Sequence, residues 1–332
     1  MKELKFGVIG TGMISGMFAE AVREVDGASI TAVLSRKAET GNDYVNKFFF
    51  DDPEKPEVVT EIDDLFRADV NAIYIASPNK YHAEHSIISM QAGYDVLCEK
   101  PIASNKKEYD DMTDVSEKTG KVLLEAMRPA FDPAYDAIVK NLPEIGRIRH
   151  ATFEYCQYSS RYDRVKSGEY MRAFDPSYSN AAVMDIGIYP IFVCSMLFGK
   201  PTGEISSFST VLKNGMEGGG EALLPYDGFC AIISYSKICD SVSPSVIVGE
   251  NGSMIIDKLS SPRKVDLLMR DGTEQTIVSS DKQNNMNYEI EAFKRLVSSG
   301  EIKHKYAAIS RISMEVTDEI RRENGIVFPA DK

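Results

Sequence analysis

The chain contains no tryptophan, and its 332 residues include only four histidines and five cysteines. No two cysteines form a CxxC pair, and the histidines do not cluster with cysteines or carboxylates at ligand spacing. We therefore expect no metal site and no disulfide framework. The cysteines are expected to be reduced and mostly buried: Cys98, Cys156, Cys194, Cys230 and Cys239.

An excess of positive charge is also absent. The formal net charge is -12, and the basic residues are scattered, which argues against a nucleic-acid partner or an anionic membrane surface. The N-terminal residues MKELKFGVIG lack the apolar run and cleavage site of a signal peptide. We also find no run of about 18 apolar residues that would predict a transmembrane helix. These absences favour a cytoplasmic protein.

The first third of the chain alternates strand-like and helix-like segments, which predicts βαβ units and a parallel, doubly wound Rossmann sheet. The predicted strands are Leu4–Ile9, Ser29–Leu34, Val70–Ala76, Asp95–Cys98 and Val122–Ala126. The predicted helices are Met13–Val25, His82–Ala92 and Lys106–Thr119.

The pattern changes after about residue 125, where strands follow one another with turns between them. Asn251–Gly252 and Asp271–Gly272 are typical of hairpins. An apolar helix is predicted over Val183–Leu197, and two helices close the chain. We therefore predict an NAD(P)-binding Rossmann domain over residues 1–124. The remainder, 125–332, is predicted to be an α+β domain with a mostly antiparallel, open-faced sheet for substrate binding and oligomerisation.

A glycine-rich loop follows the first strand and opens the first helix, which is the context that makes a G-x-G-x-x-small pattern specific for a dinucleotide. Gly10 permits the tight turn, and Gly12 lets the backbone approach the pyrophosphate. Ser15, with Gly16 beside it, is expected to allow close helix–strand packing. The residues predicted to hold the cofactor here are Gly10, Thr11, Gly12, Met13 and Ile14.

The end of the second strand indicates which dinucleotide binds. An acidic residue here would bind the ribose 2′-hydroxyl of NAD, but the chain has Ser35, Arg36 and Lys37 instead. A hydroxyl and two cations suit a 2′-phosphate. We predict NADP(H), with NAD(H) as the alternative. The competing interpretation is that Arg36 and Lys37 are only solvated charges on a loop.

Four segments in order, GVIGTGMIS, ASPNKYH, LCEKP and MDIGIYP, resemble the glucose–fructose oxidoreductase/inositol dehydrogenase/MocA (Gfo/Idh/MocA) family. The resemblance covers the whole chain and implies nicotinamide-dependent redox of carbinols and carbonyls on sugars or cyclic polyols. DIGIYP resembles the branch with glucose–fructose oxidoreductase and dimeric dihydrodiol dehydrogenases. The family also implies a homodimer or homotetramer formed through the C-terminal sheet.

Lys100, Asp185 and Tyr189 are the predicted catalytic residues. Reduction of a carbonyl builds negative charge on its oxygen, which a site must stabilise and protonate. Lys100 follows a strand at the edge where open α/β sheets bind ligands. Asp185 and Tyr189 are four apart on a predicted helix and share a face. We expect Tyr189 to donate a proton, and Asp185 to orient substrate or pair with Lys100; the family resemblance implies the same roles.

The resemblance and the positions after strands suggest further contacts. The other predicted cofactor contacts are Ser77, Pro78, Asn79, His82, Glu99, Lys100 and Arg128. The predicted substrate contacts are Lys100, Tyr158, Arg161, Tyr162, Arg172, Asp185 and Tyr189. For His82, helix packing or capping is an equal alternative. Asn180-Ala181-Ala182 replaces the glycine-rich run that the family often has at this point.

Two classes of function fit this pattern, and the family resemblance adds a third possibility, a glucose–fructose-type oxidoreductase that retains its cofactor through a whole cycle. The first is an NADP(H)-dependent oxidoreductase that acts on a hydroxyl or carbonyl of a sugar, cyclic polyol or dihydrodiol-like substrate. The second is a non-catalytic NAD(P)-sensing regulatory protein on the same scaffold. The presence of both Lys100 and Asp185 favours the enzyme.

Overall fold

The computed structural model describes residues 3–332. Its packing divides the chain into two units. The first runs through Met127 and includes residues 284–307, and the second comprises residues 128–283 and 308–332. The predicted boundary at residue 124 differs from this division mainly in the segment 284–307, which returns to the first unit.

The first unit contains a six-stranded sheet in the order β3-β2-β1-β4-β5-β6, with every pair parallel. The strands are β1 (Leu4–Ile9), β2 (Ala28–Leu34), β3 (Glu57–Val59), β4 (Ala72–Ile75), β5 (Asp95–Glu99) and β6 (Leu123–Ala126). The helices are α1 (Met13–Val22), α2 (Ala38–Phe48), α3 (Ile62–Leu65), α4 (His82–Gln91) and α5 (Lys106–Thr119). β4 and β5 are buried along their whole length, as expected for strands covered on both faces.

Local sequence accounts for the best-predicted helix, α5. The Asn105 side chain accepts a hydrogen bond from the Glu108 N–H at 2.9 Å, which satisfies one free donor of the first turn. At the other end, Gly120 adopts a left-handed conformation with φ of 69° and stops the helix. The polar outer face and these two end signals are why the sequence predicted both bounds of α5.

The second unit contains an eight-stranded sheet in the order β14-β13-β12-β11-β7-β10-β9-β8, antiparallel except for the parallel pair β7 and β10. The strands are β7 (Ile148–Cys156), β8 (Ser206–Val211), β9 (Glu217–Tyr226), β10 (Phe229–Ser236), β11 (Ser245–Gly249), β12 (Gly252–Ile256), β13 (Lys264–Met269) and β14 (Glu274–Ser279). The helices that follow β6 in the chain are α6 (Pro133–Asn141), α7 (Tyr162–Lys166), α8 (Ile188–Phe198), α9 (Met286–Ser299) and α10 (Lys305–Glu323), of which α9 belongs to the first unit. The predicted fold class is thereby confirmed.

Helix α9 packs in the first unit although it follows the second sheet in the chain. The Phe293 ring lies 5.9 Å from the ring of Phe6 on β1. The Asn284 side chain donates a hydrogen bond to the carbonyl oxygen of Met17 at 2.9 Å. A helix apolar on one face can cover any nearby sheet, and the periodicity of α9 does not say which.

Within residues 3–332, one helical segment, Pro176–Phe198, is long and apolar enough to cross a membrane by length and composition. This corrects the expectation that the chain holds no such run. Seventy-eight per cent of its most apolar window is buried inside the protein, as in the core helix of a globular unit.

All five cysteines are free, but they are less uniformly buried than expected. Cys98 and Cys194 are buried, whereas Cys239 is exposed. Cys156 and Cys230 are intermediate because both lie on the face of the second sheet that the helices leave open.

Candidate active site

The carboxyl ends of β1 and β4 meet at the point where the strand order of the first sheet reverses. The Gly10 N–H donates to the Leu34 carbonyl oxygen at 3.2 Å, and the Ala76 N–H donates to that of Ile9 at 2.9 Å. Ligands of open α/β sheets bind in the crevice outside such a reversal. The glycine-rich loop and the segment beginning at Ser77 are therefore neighbours at the binding edge.

The glycine-rich loop has the geometry that a pyrophosphate needs. Gly10 has a φ of +110°, and a Cβ there would lie 2.5 Å from the carbonyl oxygen of Ala76, so only glycine fits. A Cβ at Gly12 would meet no atom within 4 Å, so the loop is open on that side. Gly12 caps α1 without a side-chain hydrogen bond, and the first N–H groups of the helix remain directed outward. This cradle fits the phosphates of a dinucleotide.

The close packing expected at Ser15 belongs to Gly16. A Cβ at Gly16 would lie 2.3 Å from Cζ of Phe48, so this glycine allows α1 to pack against α2 and not against a strand. The side chain of Ser15 is buried, and its carbonyl oxygen accepts a hydrogen bond from the Tyr44 hydroxyl at 2.7 Å. Of the other loop residues, Met13 is 76% exposed and Thr11 and Ile14 are partly exposed.

The turn after β2 presents cations. Ser35 is buried, and its hydroxyl donates to the Lys37 carbonyl oxygen at 3.0 Å, which shapes the turn. Arg36 and Lys37 are exposed at this edge of the sheet. Helix α2 begins at the next residue without a side-chain cap, so its first N–H groups add to a local preference for an anion.

His82 connects two loops of the binding edge. Its Nδ1 lies 2.8 Å from the carbonyl oxygen of Pro101, and its Nε2 lies 2.8 Å from that of Ser77. Burial lowers the pKa of His82 to about 4, against the two carbonyl contacts, which raise it. Both ring nitrogens face protein oxygens, so the geometry supports the packing interpretation of His82. Direct cofactor contact by His82 stays a prediction.

The segments after β4 and β5 carry the remaining predicted cofactor contacts. Pro78 precedes a short 3₁₀ turn that starts at Asn79 and leads into α4. The buried carboxylate of Glu99 accepts a hydrogen bond from Tyr74, so part of its bonding capacity is used inside the unit. Lys100 follows directly, partly exposed, and its peptide bond to Pro101 is cis.

In the second unit, Asp185 lies in a π-helical segment, Val183–Gly187, that continues into α8. The sequence predicted an uninterrupted α-helix here. A π-helical turn is rare and frequently lies at a functional site. A π-helical turn is wider than an α-helical one, and Asp185 lies within it whereas Tyr189 lies in α8.

Contacts with β9 and β10 explain why the π-helical segment fits at this place. A Cβ on Gly187 would lie 2.9 Å from Cγ of Tyr235, so the helix approaches the sheet at a glycine. The buried Glu217 side chain accepts a hydrogen bond from the Val183 N–H at 2.7 Å and from the Ser209 hydroxyl at 3.1 Å. Burial raises the pKa of Glu217.

Asp185 forms an ion pair within its own unit. Nζ of Lys237 lies 2.7 Å from Oδ2 of Asp185, and the lysine side chain is only 6% exposed. Lys237 and Glu217 were not predicted from the sequence. Strand alternation could have identified Lys237, because it continues the inward-facing positions Ile233 and Tyr235 of β10.

Tyr189 is buried between an arginine and a second tyrosine. Arg128 Nη2 donates to the Tyr189 hydroxyl at 3.3 Å, and its guanidinium carbon lies 5.8 Å from the ring centroid. The Tyr155 ring meets the Tyr189 ring edge to face at 5.2 Å. An arginine has no acceptor, so the Tyr189 hydroxyl oxygen accepts in this bond.

The predicted substrate contacts before the π-helical segment are less closely grouped. The Tyr158 hydroxyl donates to Asp163 at 2.7 Å, and the two rings of Tyr158 and Tyr162 lie 5.5 Å apart. Arg161 and Arg172 are exposed. In residues 3–332, no group of three or more histidine, cysteine or carboxylate side chains is placed to hold a metal ion.

The fold, the residues at the binding edge of the first unit and those around the π-helical segment of the second define an NAD-binding oxidoreductase. The family follows from direct comparison. Residues 4–127 match the family model described as an oxidoreductase family with an NAD-binding Rossmann fold, and residues 142–255 match the GFO/IDH/MocA C-terminal domain. The chain belongs to the Gfo/Idh/MocA family. The predicted family, the oxidoreductase class and the nicotinamide dinucleotide cofactor are confirmed.

Particular relatives extend over the full length. The chain is 37% identical to the scyllo-inositol 2-dehydrogenase (NADP(+)) IolU of Bacillus subtilis (strain 168), over 99% of each chain. It is 26% identical to the trans-1,2-dihydrobenzene-1,2-diol dehydrogenase of Mus musculus, again over 99% of each. The crystal structure of KijD10, a 3-ketoreductase from Actinomadura kijaniata in complex with NADP and TDP-benzene, shares the fold with a TM-score of 0.84 at 22% identity, over 97% of this chain and 98% of that one.

Proposed function

We propose that this protein is an NADP(H)-dependent dehydrogenase or reductase that acts on one secondary hydroxyl or carbonyl of a cyclic polyol, sugar or dihydrodiol-like molecule. The observation that carries the proposal is the pairing of Tyr189 with Arg128, because it orients a phenolic proton away from a permanent cation. The full-length likeness to an NADP(+)-dependent inositol dehydrogenase supports the substrate class.

The nicotinamide supplies or accepts the hydride when the cofactor is bound. In the proposed roles, Tyr189 passes its proton to the substrate oxygen on reduction and takes it back on oxidation. Lys100 stabilises the developing negative charge on that oxygen. Asp185 accepts a hydrogen bond from a neighbouring substrate hydroxyl, as a carboxylate does readily.

The preference for NADP(H) over NAD(H) rests on the turn after β2. Arg36 and Lys37 are exposed there, and the turn contains no carboxylate to repel a 2′-phosphate or to bind the 2′-hydroxyl. The cradle at Gly10 and Gly12 would hold the pyrophosphate of either cofactor.

The test is a panel of inositols, monosaccharides and trans-dihydrodiols assayed in both directions with NADP(H) and with NAD(H), read at the reduced-nicotinamide absorbance. We expect turnover of at least one cyclic polyol, with a higher kcat/KM for the phosphorylated cofactor. Tight NADPH binding without turnover of any panel member would favour the alternative, a regulatory NAD(P)-sensing protein.

We also propose that two copies of the chain associate through the open face of the second sheet. Phe208 on β8 is 72% exposed, and Leu223 on β9 is 45% exposed. The register places Phe208 opposite Glu221, so both apolar side chains are on the same face. Sedimentation of the wild type and of Phe208→Asp tests this, with a shift to the monomer expected for the variant.

A further inference from the structure

Lys237 is a buried lysine whose ammonium group has only protein partners at hand. It follows β10 directly, and its side chain is 6% exposed. Its Nζ lies 2.7 Å from Asp185, 3.3 Å from the carbonyl oxygen of Ala173 and 4.8 Å from the centroid of the Phe174 ring. Lysine is almost never buried unless it is paired, and the ion pair with Asp185 meets that condition.

The backbone of Lys237 is held on both sides, which fixes where the side chain starts. Its N–H donates to the Gly218 carbonyl oxygen at 2.8 Å, and its own carbonyl oxygen accepts from the Ser159 N–H at 2.9 Å. A long flexible side chain loses rotamer entropy when it is immobilised. Anchoring the backbone and surrounding the stem lowers the further cost of holding the ammonium beside Asp185.

The two partners of the ion pair differ in exposure. Asp185 keeps 42% of its side-chain surface exposed, although it belongs to the same pair as the buried lysine. The cation therefore lies beneath the carboxylate, and the carboxylate is presented at the surface of the unit. The π-helical backbone that carries Asp185 is fixed independently by Glu217, which bonds to the Val183 N–H.

We propose that Lys237 is a positioning residue for the reaction: it fixes the orientation of the Asp185 carboxylate so that the exposed oxygen meets a substrate hydroxyl. The inference rests on the proposed function, in which Asp185 binds substrate. Lys237 acts through Asp185 and does not itself contact the reacting atoms. The neutral pair it forms also lets a carboxylate serve as a fixed acceptor beside the apolar α8.

The test compares Lys237→Met, Lys237→Arg and Asp185→Asn with a matched control. The control is Lys264→Met, which breaks the Lys264–Asp266 pair of the same 2.7 Å separation, where the lysine is 60% exposed. Lys237→Met removes the buried charge itself and leaves a half-exposed carboxylate, so we expect it to fold, as checked by circular dichroism and thermal unfolding.

For Lys237→Met we expect kcat/KM for the polyol to fall about 100-fold, as when a substrate-positioning group is misplaced, through both a higher KM and a lower kcat. The Kd of NADPH should not change, because the glycine-rich loop and the turn after β2 lie in the first unit. Lys237→Arg should restore most of the loss, since a guanidinium also pairs with a carboxylate. The control should match the wild type.

Wild-type kcat/KM in Lys237→Met, with Asp185→Asn impaired, would overturn this inference and leave the proposed function intact. Wild-type kcat/KM in Asp185→Asn would instead overturn the role given to Asp185 in the proposed function. A crystal structure of Lys237→Met then decides the inference by itself: an Asp185 side chain in an unchanged rotamer refutes positioning by Lys237, and a rotated one supports it.

Discussion

The glycine-rich loop and the π-helical segment are both places where glycine admits a close approach, but they offer different chemistry. At the loop, Gly10 lies against the Ala76 carbonyl, and the groups available to bind a ligand are backbone N–H donors. At the π-helical segment, Gly187 lies against the Tyr235 ring, and the groups available to bind a ligand are the side chains of Asp185 and Tyr189. Backbone donors recognise a feature that all dinucleotides share, whereas side chains can select one substrate.

Lys100 is an exception to this division. It is a predicted catalytic side chain at the sheet edge where backbone N–H groups are expected to bind the cofactor. Lys100→Met should lower kcat about 1000-fold, since it removes the group that stabilises the developing alkoxide. Steady-state turnover with NADP(H) measures this. Lys118→Met, an exposed lysine on α5, is the control. Unchanged kcat in Lys100→Met would show that this edge contributes binding alone.

Gly187→Ala and Gly12→Ala should have different effects, one on the stability of the fold and the other on NADPH binding. The new Cβ at position 187 would lie 2.9 Å from the Tyr235 ring, so overpacking should cost about 1–3 kcal/mol in the free energy of unfolding. The new Cβ at position 12 meets no protein atom within 4 Å. Gly12→Ala should therefore keep its stability and bind NADPH more weakly. Denaturant unfolding and fluorescence titration measure the two effects, and equal stability losses would contradict the comparison.

Protonation of His82, which connects two loops of the binding edge, should make the free energy of unfolding depend on pH. Its folded-state pKa of about 4 lies below its ordinary value of 6.5, so the unfolded chain binds more protons between these pH values. The stabilisation is complete above pH 6.5 and is lost as the pH falls toward 4. At pH 5 the loss should be about 2 kcal/mol.

The measurement for His82 is denaturant unfolding at pH 7 and pH 5. The free energy of unfolding of the wild type should fall more between these values than that of His82→Gln, which cannot bind the proton. His85 and His304 also have lowered pKa values because of burial, and they act equally in both proteins. The same pH dependence in both would show that burial of His82 does not restrict its protonation.

The smallest expected effect concerns the choice between NADPH and NADH at the turn after β2. Arg36→Ala should weaken NADPH about 10-fold, the loss of one charge-assisted hydrogen bond to the 2′-phosphate, and leave NADH unchanged. Arg67→Ala is the control, because Arg67 is 72% exposed and pairs with Asp64. Equal weakening of NADPH and NADH would mean that Arg36 is a general surface charge.

Most of the first unit could be predicted because local signals and tertiary packing agree there. Strand β1 and helix α5 were predicted with their observed bounds. Helices α2 and α3 and strand β3 were not predicted, because polar residues and short lengths hide the pattern there. Strand β9 was not predicted either, since three consecutive glycines at residues 218–220 weaken the strand signal. Those glycines lie where β8 and β10 approach, and a Cβ on Gly220 would be 2.7 Å from the Phe208 carbonyl oxygen.

The sequence by itself determined the dinucleotide loop, the strand-end position of Lys100 and both bounds of α5, because each depends on neighbours a few residues apart. Only the tertiary structure decided that α9 packs with β1, that the helix of Asp185 opens into a π-helical turn, and that Lys237 pairs with Asp185 from 52 positions further along the chain. These features depend on contacts between distant segments, and a buried lysine acquires its role only from the carboxylate that packing places beside it.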